Sequence, residues 1–279
     1  MPLVRNTYGK GRVRVLRVKR NPDRHEVREL TVKTMVEGDF ARAYTDADNS
    51  TSLCTDTVKN VINVVSHENL GAPTELLCEK LKERFFDKYR QVDRIAITAH
   101  ETKWTRFSAD GKTHQHGFVL DSNGKPFVEL RASRDGAQTL RSGVEGFTFL
   151  KTTQSGWANF YVDEYTTLAP TDDRICSTSM DAGWTWSKAP KDYVLANDTI
   201  LDVALKVFFG TYSKSVQDSL YRMAQAALQA VPEISDLSLA CPNIHYIPMN
   251  LKHFGIENRN EVFLPTDEPH GQIECTVAR

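Results

Sequence analysis

Arg12-Val13-Arg14-Val15-Leu16-Arg17-Val18 sets polar against apolar residues near the start of the chain, the two-residue period of a strand with one wet face. Glu26 to Glu37 supplies an antiparallel partner. From Thr55 the period lengthens: Val58, Val61, Ile62 and Val65 fall on one helical stripe, and Asp56 stands in the first turn, where the helix dipole favours an acid. A second helix begins at Pro73-Thr74-Glu75, with Leu77, Leu81 and Phe85 as its core face. Arg94 to Phe107 and His116 to Arg131 then read as strands, punctuated by the hairpin signals Asp110-Gly111 and Asn123-Gly124. The order is strand, strand, helix, helix, strand, strand.

Beyond Ser133 to Arg141 that order returns, although the residues themselves show little self-similarity. Val144 to Thr152 and Arg174 to Trp186 read as strands, and Asp198 to Phe209 as a helix closed by Gly210 at C′. Ser213 is the predicted N-cap of the next helix, whose apolar face is Leu220, Met223, Ala224, Ala227 and Val231 before Pro232 stops it. Ser238 to Cys241 and Tyr246 to Met249 close the set as strands. The pattern predicts an α+β chain of two ββααββ units, residues 1–137 and 138–279, each an antiparallel sheet with a helix pair on one face.

The chain has 279 residues, with 40% hydrophobic and 25% charged, which excludes disordered, collagen-like and disulfide-scaffold classes. Lys and Arg total 35 against 36 Asp and Glu, so no global field recruits nucleic acid or an anionic membrane. An anionic ligand has to be met by local groups. The start lacks the apolar core of a secretory signal, the end, Thr276-Val277-Ala278-Arg279, is not a peroxisomal tripeptide, and no stretch is apolar enough to span a bilayer. Five cysteines without a CxxC pair argue against a disulfide framework and a cysteine-rich zinc site, and together these features predict a reduced, cytoplasmic setting.

His114-Gln115-His116 is the one metal-like signal, since alternate residues of a strand share a face. A catalytic zinc site needs three protein ligands, and only the isolated His100 is at hand, so no metal is expected. Gly9-Lys10-Gly11 has neither the dinucleotide fingerprint nor the P-loop spacing. No serine nucleophile elbow and no Cys-His constellation is visible.

Several separated segments together resemble urate oxidase (uricase). They are Tyr8-Gly9-Lys10, YTDADNS at Tyr44 to Ser50, Thr55-Asp56, HQHGF at His114 to Phe118, DEYTTL at Asp163 to Leu168, DRI at Asp173 to Ile175, SVQ at Ser215 to Gln217 and PNIHY at Pro242 to Tyr246. They follow the family's order along nearly the whole chain. The resemblance implies the tunnelling fold, in which four chains assemble around a barrel-lined tunnel. It also implies cofactor-free oxidation of urate by dioxygen and water to 5-hydroxyisourate and hydrogen peroxide, in sites shared between subunits of a homotetramer.

Carried onto this sequence, the resemblance implies that Arg174 and Gln217 grip the substrate, with the backbone N–H of Val216 beside them and Leu168 on the apolar side. A guanidinium fork and an amide suit the edge of a planar anion, and the start of a helix presents free N–H donors to it. On the residues alone, Arg174 also reads as an ion-pair partner of Asp172 or Asp173. Trp157 stands where the family usually has a stacking Phe, with Phe160 as an alternative in another register. Lys10, Thr55 and His245 are implied as the catalytic proton relay, the lysine acting as base if desolvation or a neighbouring cation lowers its affinity for the proton. Thr55 and Asn243 line the dioxygen, peroxide or water position, and Asp56 binds the far edge of urate through its backbone. Two other readings keep the architecture: a zinc enzyme of pterin metabolism using His114 and His116, and a purine-binding protein without turnover.

Overall fold

The computed structural model describes residues 1–279, the side chain of Asp267 excepted. The chain divides into two compact units, Met1–Gly143 and Val144–Arg279. The first holds β1 (Tyr8–Arg20), β2 (His25–Gly38), a one-turn helix α1 (Ala41–Thr45), α2 (Thr55–Glu68), α3 (Thr74–Lys88), β3 (Val92–Ala109), β4 (Lys112–Asp121) and β5 (Lys125–Ser133). Strand β6 (Gln138–Lys151) runs through the boundary, and the second unit continues with β7 (Cys176–Trp186), α4 (Tyr193–Gly210), α5 (Val216–Ala230), β8 (Ile234–Pro248) and β9 (Phe263–Ala278). Strands neighbour in the order β1-β2-β3-β5 in the first unit and β6-β7-β8-β9 in the second. Each is thus a ββααββ arrangement, and the predicted α+β class holds.

One face of each sheet is dry. In the first unit Leu30, Val32 and Val36 of β2 and Ile95, Ile97 and Ala99 of β3 are buried. The buried faces of the helices are Val58, Val61, Ile62 and Val65 of α2 and Leu77, Leu81 and Phe85 of α3, the stripes read from the sequence. In the second unit Met180, Ala182 and Trp184 of β7 and Leu237, Leu239 and Cys241 of β8 are buried, with Leu220, Met223, Ala224 and Ala227 of α5. Each large side chain so buried contributes about 1.5–3 kcal/mol relative to exposure.

The opening alternation breaks at Val15-Leu16, and the strand keeps its period by turning Leu16 out, at 57% exposure, and Arg17 in, at 2%. Arg17 Nη1 donates to the carbonyls of Asn69 at 2.7 Å and Ala72 at 3.0 Å, closing the end of α2. Burial, aided by neighbouring Arg28, lowers its guanidinium to about 10.

Several boundaries differ from the sequence reading. Helix α4 starts at Tyr193 because Asp192 caps it, its carboxylate accepting from Val194 and Leu195 N–H. Gly210 is the last helical residue rather than a left-handed C′, and Thr211 is the C-cap. The N-cap of α5 is Ser215, which accepts from Asp218 N–H at 3.0 Å. Ser213 instead lies in a parallel bridge with Ser155, which commits its backbone before the helix begins. The two strands expected over Ser238–Cys241 and Tyr246–Met249 are one strand, β8, paired with β9, to which no strand was assigned from sequence. Asn123-Gly124 joins β4 to β5, which both pair with β3, so it is a connection and not a hairpin tip. Asp110-Gly111 does make the hairpin, at φ 52° and 72°. Among the described residues no helix is long and apolar enough to cross a membrane.

Lys151, at 8% exposure, donates to the carbonyls of Phe208 at 3.0 Å and Thr211 at 2.8 Å and lies over the Phe208 ring. Lys151→Met removes both donors from the end of α4 and is expected to lower stability by about 1–3 kcal/mol, read as a lower melting temperature.

Candidate functional site

The residues singled out from the sequence divide between the units: Lys10, Thr55 and Asp56 in the first, and Trp157, Leu168, Arg174, Val216, Gln217, Asn243 and His245 in the second.

In the first unit Lys10 is half-buried on β1, opposite Thr34, where the register slips before Val13. The slip is a bulge at Gly11-Arg12, with Arg12 at φ 55°, a device that re-aims neighbouring side chains. Gly9 permits the close approach of β1 to β2 there, because a Cβ would fall 1.9 Å from the Thr34 carbonyl oxygen. Leu53 N–H donates to the Tyr8 hydroxyl at 2.6 Å, which ties β1 to the segment leading into α2. Burial raises the Tyr8 phenol, against the Leu53 hydrogen bond, so it stays neutral.

Thr55 and Asp56 open α2, whose N-cap, Cys54, offers no side-chain bond. The Asp56 carboxylate takes Lys59 Nζ and Asn60 Nδ2, and Lys59 holds it below the usual carboxylate range with a smaller pull from Lys10. Lys10 and Asp56 are therefore electrostatic neighbours. Neither Lys10 nor Thr55 makes a side-chain hydrogen bond among the described residues.

In the second unit three irregular segments are laced together. Ser213 N–H donates to Gln154 O and Gly156 N–H to Ser213 O, each at 2.9 Å. Trp157 and Thr171 exchange bonds of 2.7 and 2.9 Å, and Arg174 N–H donates to Ser155 O at 2.9 Å. Arg174 thus ends a laced loop and does not begin β7 as read from the sequence. Its side chain makes no ion pair with Asp172 or Asp173 among the described residues, and its Nε is buried without a partner. That leaves a guanidinium with unused donors. The Trp157 indole stacks on Phe160, ring centroids 5.6 Å apart and planes at 12°, so the two candidate aromatics form one platform.

Val216 and Gln217 are the first two residues of α5, Val216 buried and Gln217 exposed. The Ser215 cap serves Asp218, and first-turn N–H groups have no partner within a helix. Val216 and Asn243 line a common cavity of about 10 Å³, the size of one water, with Phe149, Thr178, Phe208 and Cys241. On β8 the buried stripe Leu237, Leu239, Cys241 turns polar at Asn243, whose Nδ2 lies 3.5 Å from His245 Nδ1. The structure therefore gathers Val216, Asn243 and His245 on adjoining elements. It does not gather Leu168, which stands 64% exposed.

The strand histidines His114 and His116 are exposed, rings 4.6 Å apart, and no set of three or more His, Cys, Asp or Glu among the described residues is placed to hold a metal. Sequence reasoning missed Ser215 as the cap and Tyr212, whose hydroxyl donates to Asp172 O at 2.6 Å. The S-x-x-D spacing of Ser215 and Asp218 was the available signal for the cap.

The family model for uricase matches residues 6–131 and 140–274. The chain belongs to the uricase family. It is 37% identical to the uricase of Cyberlindnera jadinii, over 98% of this chain and 96% of that one. Identity to the uricase of Aspergillus flavus is also 37%, over 98% and 95%. A crystal structure of uricase from Arthrobacter globiformis matches with TM-score 0.93 and 34% identity, covering 100% of this chain and 95% of that one.

Two outcomes follow for the cysteines. Cys54 is exposed, whereas burial pushes the Cys241 thiol up to about 12 and raises Cys78 further. In native protein at about pH 8 a thiol reagent is expected to modify Cys54, with Cys78, Cys176 and Cys241 reacting only after unfolding, as mass mapping of labelled peptides would show.

Proposed function

We propose that the chain oxidises urate with dioxygen and water to 5-hydroxyisourate and hydrogen peroxide, without a cofactor. Membership of the uricase family over nearly the full length carries this reading. Urate supplies two electrons to dioxygen, which leaves as peroxide, and water supplies the added hydroxyl. The reaction then needs positioning, electrostatics and proton transfer from the protein.

Arg174 and Gln217 grip the edge of the planar anion, with Val216 N–H beside them. The unpartnered Arg174 Nε and the free first turn of α5 support this assignment. Trp157 stacks on the substrate face, Leu168 flanks the apolar side, and Asn243 and Thr55 hold dioxygen, peroxide or water. Asp56 contributes its backbone, because its carboxylate is already engaged. Lys10, Thr55 and His245 relay the protons.

Lys10, Thr55 and Asp56 of one chain face the second-unit residues of another in a homotetramer. Strands β1 and β9 each end a run of paired strands, and closing such edges into a barrel between chains satisfies their backbone groups. We place the enzyme in the cytoplasm.

In aerated buffer with a strong chelator, urate absorbance is expected to fall with matching peroxide. Recovery of activity only on adding zinc would replace this reading with the zinc enzyme, and tight binding without turnover would leave a purine-binding protein. Lys10→Met is expected to lower kcat by roughly 10²–10⁴-fold while urate binding under anaerobic conditions persists. Unchanged turnover would remove the lysine from the relay.

A further inference from the structure

The proposed urate grip comes from two stretches of the second unit. Trp157 and Arg174 sit on the laced loops, and Val216 and Gln217 on the first turn of α5. Tyr212 joins them. It lies three residues before the α5 N-cap Ser215, its hydroxyl donates to Asp172 O at 2.6 Å, and its own carbonyl accepts from Arg222 Nη2 at 3.1 Å. Arg222 also pairs with Asp218 in the first turn of α5. One residue therefore bonds, through its two ends, the loop two positions before Arg174 and the helix that carries Gln217.

Its hydroxyl also fills the space above Gly156. A Cβ on Gly156 would stand 2.2 Å from Tyr212 Oη, 3.2 Å from its Cζ and 3.0 Å from the Thr171 carbonyl oxygen. Gly156 immediately precedes Trp157, and its N–H donates to Ser213 O. The missing side chain is what allows the phenol to seat against the backbone between Asp172 and the Trp157–Thr171 bridge.

We propose that Tyr212 is a positioning residue for urate binding, its hydroxyl on Asp172 O fixing Arg174 and Trp157 against Val216 and Gln217. The inference rests on the assignment of those four residues to the substrate. Tyr212 touches neither oxygen nor the proton relay, so losing its hydroxyl weakens binding of ground and transition states alike. That loss appears in KM and leaves kcat.

The test compares Tyr212→Phe, Gly156→Ala, the double variant and Arg174→Gln, with urate binding measured without oxygen and turnover measured in air. Tyr212→Phe is expected to raise the urate Kd and KM by about tenfold with kcat within about twofold. Gly156→Ala is expected to weaken binding further in the wild-type background than in Tyr212→Phe, where the oxygen at 2.2 Å is gone. Additive effects, or an unchanged Kd in Tyr212→Phe while Arg174→Gln loses binding, would overturn the positioning role alone. Unchanged binding in Arg174→Gln would instead overturn the site assignment beneath it. A lower melting temperature in Tyr212→Phe with unchanged Kd counts against the inference, because it marks a structural role only.

Discussion

Carbonyls run short of backbone partners where a helix ends, and in each unit a cation from the first strand donates to carbonyls at or just beyond the end of the first long helix. Arg17 of β1 donates to Asn69 and Ala72 beyond α2, and Lys151 at the end of β6 donates to Phe208 and Thr211 at the end of α4. Both side chains are buried. Burying a cation is expensive, and Arg17 uses only Nη1 in these bonds, its Nε and Nη2 being buried without a partner; a positive charge at a helix C-terminus does meet the dipole favourably. The contact ties the end of the first long helix to the sheet, where the chain turns toward the second. In the second unit that turn runs from Thr211 to Ser215 and delivers the start of α5 to the laced loops. In the first it delivers α3, with Thr74 bonding Glu101 of β3.

The two units share an architecture but open their helices differently. Helix α5 has a serine cap that satisfies one N–H and leaves the other first-turn N–H groups without a side-chain partner, and in the same unit the Arg174 Nε is buried without one. Helix α2 has no side-chain cap, and its first-turn acid is neutralised by Lys59. The first arrangement suits holding an anion and the second suits leaving a hydroxyl and an amine undisturbed. On the proposed assignment the first unit supplies Lys10 and Thr55 to the proton relay and the second supplies the substrate grip together with His245, so each site draws on both kinds of unit.

The order of elements was legible because the period of hydrophobicity reports which face is dry, whatever packs on it. Thr55 and Thr74 start their helices as read, and the stripes of α2, α3 and α5 are the buried ones. What failed was local chemistry decided at a distance. Leu16 and Arg17 exchange faces because the end of α2 needs donors. Ser213 loses the cap to Ser215 because Gln154 and Gly156 have already claimed its backbone. Strand β9 carried a readable alternation, Ile273, Cys275 and Val277 opposite Cys241, Leu239 and Leu237, but its polar first half hid it. The site residues could be singled out only because short motifs fall in a family's order. Nothing in the residue pattern shows that Tyr212 reaches Asp172, since that contact spans 40 positions.

Trp157, the proposed stacking residue, illustrates how a large aromatic is held in a loop. An indole has more face than a phenyl ring, and a larger ring in a tight site has to displace something or be supported. Here one face rests on Phe160 in a near-parallel stack, an arrangement aromatic pairs favour when offset. The backbone below is held by the two bonds to Thr171. The ring is thus supported on one face and its backbone is fixed. Rigidity of that kind reduces the ordering that binding would otherwise demand, which is what the proposed stacking role asks of this loop.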